Sequence, residues 1–302
     1  MSATDPINIL FLTLALLILL ACEWWGYRRW IKPHEAVTNG QAKAMLMLII
    51  LTLAGGFIGP FSWWADLPNG FAWDLPPLAG RMLATAGWCF AFVAYLCLSR
   101  PTRRRVQLAL LMLAVYLAPL AIALVLFHLD RLNFAAPITY PFFAVVTLLS
   151  GGSIWFLIRQ PATLPDDPAD LAPSSGFMRV WLGVVAVLTG AWSLALAVTD
   201  NGPSPLIWVW PGDLLTSRLI AAMLITIATA AVFSLRRADT ARITSGMTLI
   251  YGLGLAIASV WNAFAGKPIP ITYLVAFGLI VLGSLAALLM DGSAARAARR
   301  AT

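Results

Sequence analysis

The residue types that carry most enzyme chemistry are scarce in this sequence. It contains two histidines, His34 and His128, and three cysteines, Cys22, Cys89 and Cys97. Membrane haem and di-iron centres need several histidines facing one interior, and zinc or redox sites usually need a Cys-x-x-Cys spacing, which is missing here. The sequence therefore predicts no metal site, no cofactor and no disulfide framework.

One polar cluster could supply a general base. His128, Asp130 and Arg131 follow an apolar segment at 106–127, and a histidine titrates close to neutral pH. Positions i and i+2 do not face each other on a helix, so a solvated turn with an Asp130–Arg131 ion pair is the favoured interpretation. His128 and Asp130 are the candidate catalytic residues, but the overall shortage of acids, bases and metal ligands favours a non-enzymatic protein.

Two tryptophan–arginine pairs could bind a ligand. Trp73 precedes Arg81 by eight residues, and Trp210 precedes Arg218 by the same spacing. An arginine at the start of a helix is mildly unfavourable, because its charge is repelled by the positive end of the helix dipole. Its presence at both positions therefore suggests a specific role. One interpretation is a pair of aromatic pockets that hold a lipid headgroup or an anionic small molecule. The more common arrangement is an interfacial tryptophan belt, in which Arg81 pairs with Asp66 or Asp74 and Arg218 with Asp200 or Asp213.

The composition indicates whether the segments that carry these residues lie in water or in a membrane. Hydrophobic residues make up 61% of the 302-residue chain and charged residues 11%, against about 25% charged residues in a soluble domain. These values exclude a disordered chain, and the 20 basic residues are too few and too dispersed for a nucleic-acid partner. The composition predicts an all-α, polytopic membrane protein.

Nine apolar segments are long enough to cross a bilayer, which needs about 20 residues per helix. The first of them lacks the basic n-region of a secretory signal, so we expect an anchor helix. Away from their ends the segments contain no ionisable residue, which disfavours an ion-coupled pump. The segments lie at about 7–25, 44–64, 82–98, 106–127, 136–158, 178–198, 216–235, 243–261 and 271–290.

Basic residues predict the orientation of these helices. With the N-terminus outside, only four of the 20 Lys and Arg residues lie outside, and the rest lie in inside segments. This bias predicts a bacterial-type inner membrane protein with a cytoplasmic C-terminus, and it makes the bilayer and its anionic headgroups the expected partners. The four outside residues are Arg81, Arg131, Arg218 and Lys267.

The sequence also indicates an internal duplication. The Trp73–Arg81 pair recurs as Trp210–Arg218 at an offset of 137 residues, and Pro-Ile-Thr-Tyr at 137–140 recurs at 270–273. The predicted organisation is an N-terminal helix with a basic loop (1–40), a four-helix repeat (41–159), a Pro- and Asp-rich cytoplasmic linker (160–175), and a second four-helix repeat with a basic tail (176–302). An even number of crossings makes the two repeats parallel.

Three classes of function are compatible with this pattern. The favoured one is an accessory or scaffolding subunit of a membrane assembly, which would have other membrane subunits as partners. The second is an uncoupled carrier or binding protein for an apolar or anionic small molecule or lipid, with Trp73, Arg81, Trp210 and Arg218 as the ligand-binding residues. The third is a membrane enzyme that acts at the outer face.

Overall fold

The computed structural model of the chain describes residues 6–34, 37, 39–67, 70–134, 136, 138–159, 164–165, 167–201, 207, 213–267 and 269–300. Within these residues the chain forms nine α-helices and no β-strand. The helices are α1 (Pro6–Gly26), α2 (Gly40–Trp64), α3 (Pro77–Ser99), α4 (Arg103–Phe127), α5 (Thr139–Arg159), α6 (Gly176–Val198), α7 (Leu214–Ser234), α8 (Ala238–Phe264) and α9 (Ile271–Arg300).

The predicted all-α membrane architecture is confirmed. Each of the nine apolar segments falls on one helix, and in the described part of the chain eight helices, α2 to α9, are long and apolar enough to cross a membrane. The shortest of these spans has 21 residues, about 31 Å at 1.5 Å per residue, which matches a bilayer core of roughly 30 Å. The crossing of α1, also 21 residues long, stays a prediction.

Capping side chains and a proline decide where several helices begin. Asn39 accepts a hydrogen bond from the Gln41 amide at α2, Ser175 accepts one from Met178 at α6, and Pro77 is the first residue of α3. These signals extend helices into the polar interface. Helices α3 and α8 each begin five residues before the apolar segments that we expected, at 77 and 238 rather than 82 and 243. Pro77 accounts for the early start of α3, whereas Arg237, the residue before α8, makes no capping hydrogen bond with its side chain.

The first compact unit, residues 1–165, contains α1 to α5. Helix α2 packs along α3 and α4 along α5, while smaller contacts of α3 with α4 and of α2 with α5 join the two pairs; α1 packs on α2. Glycines allow the closest approach: a Cβ on Gly56 would lie 2.7 Å from the Gly87 carbonyl oxygen, and one on Gly87 would lie 2.5 Å from Pro60. Gly56 and Gly87 therefore allow α2 and α3 to pack closely.

The second compact unit, residues 166–302, contains α6 to α9 in the same order of helix pairs. Helix α6 packs along α7 and α8 along α9, with smaller contacts of α7 with α8 and of α6 with α9. The repeated Pro-Ile-Thr-Tyr motif lies at the start of α5 and of α9, although Tyr140 is exposed and Tyr273 is buried. The two units share a helix order, and a duplication of sequence remains a prediction.

Polar side chains also connect helices inside the second unit. The Thr248 and Ser284 hydroxyls lie 2.9 Å apart, the Trp181 indole donates to Ser284 at 3.1 Å, and the Asp291 carboxylate accepts from Arg242. The last contact places a half-buried ion pair between α8 and α9, both of which extend beyond the apolar segments. Interhelical hydrogen bonds of this kind stabilise helix pairs in lipid.

The described part of the predicted linker packs against the second unit. The Ala238 amide donates to the Ala172 carbonyl at 2.9 Å, and the Ser174 hydroxyl donates to the carbonyl of Leu235. The Arg237 guanidinium donates to the Leu171 carbonyl at 2.6 Å. Residues 171–174 therefore cover the short turn between α7 and α8, where hydrogen bonds hold them.

Candidate functional site

The loop after α2 is shaped by a left-handed helix cap. Asp66 has a φ of 56°, its amide donates to the Trp63 carbonyl, and the Leu67 amide donates to the Ser62 carbonyl. This pair of bonds is the Schellman pattern, in which a residue with positive φ closes the helix. The Trp63 indole nitrogen then donates to the Gly70 carbonyl at 2.8 Å and holds the loop against the helix end.

An aromatic cluster follows this cap. The Phe71 ring lies 5.5 Å from Trp63, 4.4 Å from Trp73 and 5.4 Å from Phe142, measured between ring centroids, and all three contacts are edge-to-face. Such geometry is favourable for aromatic pairs. The Asn133 amide donates to the Ala72 carbonyl at 2.8 Å, so the loop after α2 is joined both to the loop before α5 and to α5 itself.

A cavity of about 320 Å³ lies beside this cluster. Three aromatic rings and two carboxylates are among its walls, and none of the described residues that line it is basic. The buried Trp73 side chain is only 5% exposed, and its indole nitrogen has no hydrogen-bond acceptor in the described structure. The lining residues are Ser62, Trp63, Asp66, Leu67, Gly70, Phe71, Trp73, Asp74, Leu75, Pro77 and Gly80.

Arg81 lies next to this cavity in the sequence but does not line it. It is the fifth residue of α3, in the second turn rather than the first, and it is 7% exposed. The preceding Gly80 brings α3 close to the end of α2, because a Cβ there would lie 3.2 Å from the Trp63 carbonyl oxygen. Of the predicted pair in the first unit, the structure thus places Trp73 in the cavity wall and Arg81 inside the helix packing.

The corresponding site in the second unit is only partly described. Trp210 lies outside the described residues. Arg218 is the fifth residue of α7, as Arg81 is of α3, but it is half-buried and its Nε donates to the Ala197 carbonyl at 3.4 Å. Asp213 caps α7 by accepting from the Thr216 amide at 3.0 Å. The two arginines therefore share a helix position and differ in burial.

The candidate catalytic residues have different environments. His128 directly follows α4 and is buried, whereas the side chain of Asp130 is exposed in the short turn Leu129–Arg131. Asp130 forms the predicted ion pair with Arg131 at 4.0 Å. Neither candidate lines the cavity, and a catalytic role for either one stays a prediction. The described residues contain no group of three or more His, Cys, Asp or Glu side chains that could hold a metal ion.

Several cavity residues were not among the sequence-predicted site residues. Trp63, Asp66, Phe71 and Asp74 all line the cavity. The density of aromatic residues between 61 and 74 was the available signal. Phe142 of α5 could not have been found in this way, because its contact with Phe71 depends on the packing of a distant helix.

Comparison with protein-family models, with curated proteins and with solved structures found no match for this chain. What the site does must therefore be inferred from its own geometry.

Proposed function

We propose that this multi-pass membrane protein binds a small molecule between the end of α2 and the start of α3. It would act as a carrier or binding protein that is not coupled to ion flow. The cavity of about 320 Å³ at the predicted tryptophan site carries this proposal. Small-molecule sites have volumes of roughly 300–1,000 Å³ and combine apolar walls with a few polar groups. The three rings and two carboxylates around this cavity have that character.

The lining chemistry favours binding over catalysis. Histidine and cysteine are missing from the described part of the cavity wall, and the Ser62 hydroxyl in that wall already donates to the Gly59 carbonyl at 2.7 Å. A nucleophile needs an adjacent base, and a general base must reach the group that it deprotonates. An enzyme acting at the outer face, with His128 and Asp130 as its residues, is therefore the weakest of the three candidates.

The exposed surface of α1 supports a second candidate, an accessory or scaffolding subunit of a membrane assembly. This helix packs chiefly on α2, and Trp24 and Trp25 near its end are 57% and 56% exposed. Lipid or a neighbouring membrane subunit would cover such a surface. If the protein is such a subunit, the small cavity has no role in transport.

The orientation belongs to the same proposal. The positive-inside bias supports a bacterial-type inner membrane location with the N-terminus outside and the C-terminus in the cytoplasm. The loop between α2 and α3 then faces the outside, and the cavity takes its ligand from the periplasmic side or from the outer leaflet.

Native mass spectrometry of protein extracted gently from its own membrane tests the proposal. We expect the wild-type chain to carry a discrete small-molecule or lipid mass. Trp73→Ala should lose this mass because it removes a cavity wall, whereas Trp24→Ala, at an exposed position on α1, should keep it.

The unfolding temperature of each variant, measured alongside, shows whether Trp73→Ala is still folded. A bound mass in the wild type that a folded Trp73→Ala variant retains would argue against this cavity as the binding site. A stoichiometric second polypeptide without any small molecule would favour the accessory subunit instead.

A further inference from the structure

The charge of the cavity wall points to the chemistry of its ligand. Asp66 and Asp74 line the cavity, and no Lys, Arg or His is among the lining residues that the structure describes. The sequence from 61 to 80 also contains none of these residues. Arg81, the nearest basic residue in the sequence, is buried within α3 outside the lining. The side chains at the cavity therefore favour a positive ligand.

The backbone does not reverse this preference. The cavity lies between the C-terminal end of α2 and the N-terminal end of α3, as Trp63 and Pro77 in its wall show. The first helix end attracts cations and the second attracts anions, and each effect falls off within one turn. Because the two ends act in opposite directions, the carboxylates decide the sign of the potential.

Aromatic rings strengthen the same preference. Trp63, Phe71 and Trp73 form part of the wall, and their rings are joined in edge-to-face contacts at 5.5 and 4.4 Å. The faces of such rings attract organic cations, and aromatic walls are the usual means of recognising quaternary ammonium groups. A cavity with both rings and carboxylates suits an organic ammonium better than a hydrated metal ion.

We propose that the cavity binds a molecule through an organic ammonium group. This inference rests on the proposed binding function and names its ligand class, a cation in place of the anion suggested by Arg81 in the sequence. Two sources share this chemistry: a free amino alcohol such as choline, and the headgroup of a zwitterionic lipid.

Choline and its uncharged isostere 3,3-dimethyl-1-butanol provide a matched pair of probes. The full-length protein is placed in nanodiscs of phosphatidylglycerol, which has no ammonium group, and each probe is titrated by calorimetry. We expect choline to bind at least about tenfold more tightly than the isostere, because the charge is the only major difference between them. Glycerol 3-phosphate serves as an anionic probe. If either the isostere or glycerol 3-phosphate binds as tightly as choline or more tightly, the ammonium inference is overturned and the binding function stays in place.

A second arm identifies the source of the ligand. Protein from nanodiscs of mixed phosphatidylcholine and phosphatidylglycerol is examined by native mass spectrometry. Preferential retention of phosphatidylcholine, without binding of free choline, assigns the site to a lipid headgroup. If neither free choline nor phosphatidylcholine is preferred, the inference is wrong. A wild-type protein that carries no small molecule from its own membrane and binds none of the probes contradicts the proposed function itself.

Two isosteric variants test the carboxylates directly. Both carboxylates are exposed, so Asp66→Asn and Asp74→Asn should each weaken choline or phosphatidylcholine binding about two- to fivefold, as expected for an ion pair that solvent screens. Asparagine tolerates the left-handed conformation of residue 66, so this change preserves the loop. Asp239→Asn, in the first turn of α8, is the control and should bind like the wild type. Unchanged binding in both cavity variants would exclude an ammonium contact with these carboxylates.

Discussion

Asp66 shows how one residue can determine both a turn and a site. Among the described non-glycine residues it alone has a positive φ, and its carboxylate lies in the cavity wall. Glycine usually occupies this position in a helix cap because it has no Cβ. Aspartate tolerates the same conformation at a modest cost, so its presence leaves a negative charge beside the aromatic rings of the cavity.

The ion pair between Arg242 and Asp291 leads to a prediction at the scale of single residues. The Asp291 side chain is 8% exposed and that of Arg242 is 48% exposed, so solvent weakens the pair from one side only. We expect Asp291→Asn to lower the free energy of unfolding by about 1–2 kcal/mol, less than the 3–5 kcal/mol typical of a fully buried pair. Thermal unfolding in detergent measures this difference.

The surface pair of Arg131 and Asp130 is the matched control. Both side chains are well exposed, at 63% and 79%, and Asp130→Asn should change the stability by less than about 0.5 kcal/mol. Equal effects of the two substitutions would show that the α8–α9 ion pair contributes no more than a surface pair.

At the scale of helices, close packing depends on which side of a helix a glycine faces. Gly56 of α2 faces α3, whereas the neighbouring Gly55 is exposed and a Cβ on it would meet no atom within 4 Å. Gly56→Ala would press a methyl group against the Gly87 carbonyl, which belongs to the backbone and cannot move away alone. We expect a loss of about 1–3 kcal/mol and a fall of a few degrees in the unfolding temperature.

Gly55→Ala is the control because it adds the same methyl group to the same helix. It should leave the unfolding temperature unchanged or slightly higher, since alanine favours helix more than glycine does. If the two variants behaved alike, the close approach of α2 and α3 at this point would not be supported. Differential scanning fluorimetry on both variants in one detergent makes the comparison.

At the scale of the whole molecule, the predicted orientation can be tested by labelling. In a chain with Cys22, Cys89 and Cys97 replaced by alanine, a single cysteine is introduced at Asp130 or at Leu171. Both positions are exposed, one in the turn after α4 and the other in the linker. A membrane-impermeant maleimide should label position 130 in intact cells and position 171 only after lysis, because the positive-inside bias places the linker in the cytoplasm. The reverse pattern would invert the proposed topology.

A membrane environment, a helical secondary structure and the approximate positions of the helices could all be inferred from the sequence. Apolar runs and the charged residues that bound them are local features of the sequence, so the nine apolar segments could be located without any knowledge of packing. The sequence also located Trp73. Helix starts were less accurate, as at α3, where a proline begins the helix before its apolar part.

The residues that form the site became apparent from the packing of the helices and loops. Trp73 and Arg81 are equally prominent in the sequence, but folding places Trp73 in the cavity wall and buries Arg81 outside it. The contact of Phe71 with Phe142 likewise joins residues 71 positions apart. Such distinctions depend on helix rotation and on contacts between distant segments, and a local pattern carries neither. The sign of charge around the cavity, and with it the ligand class that we propose, follows from that packing.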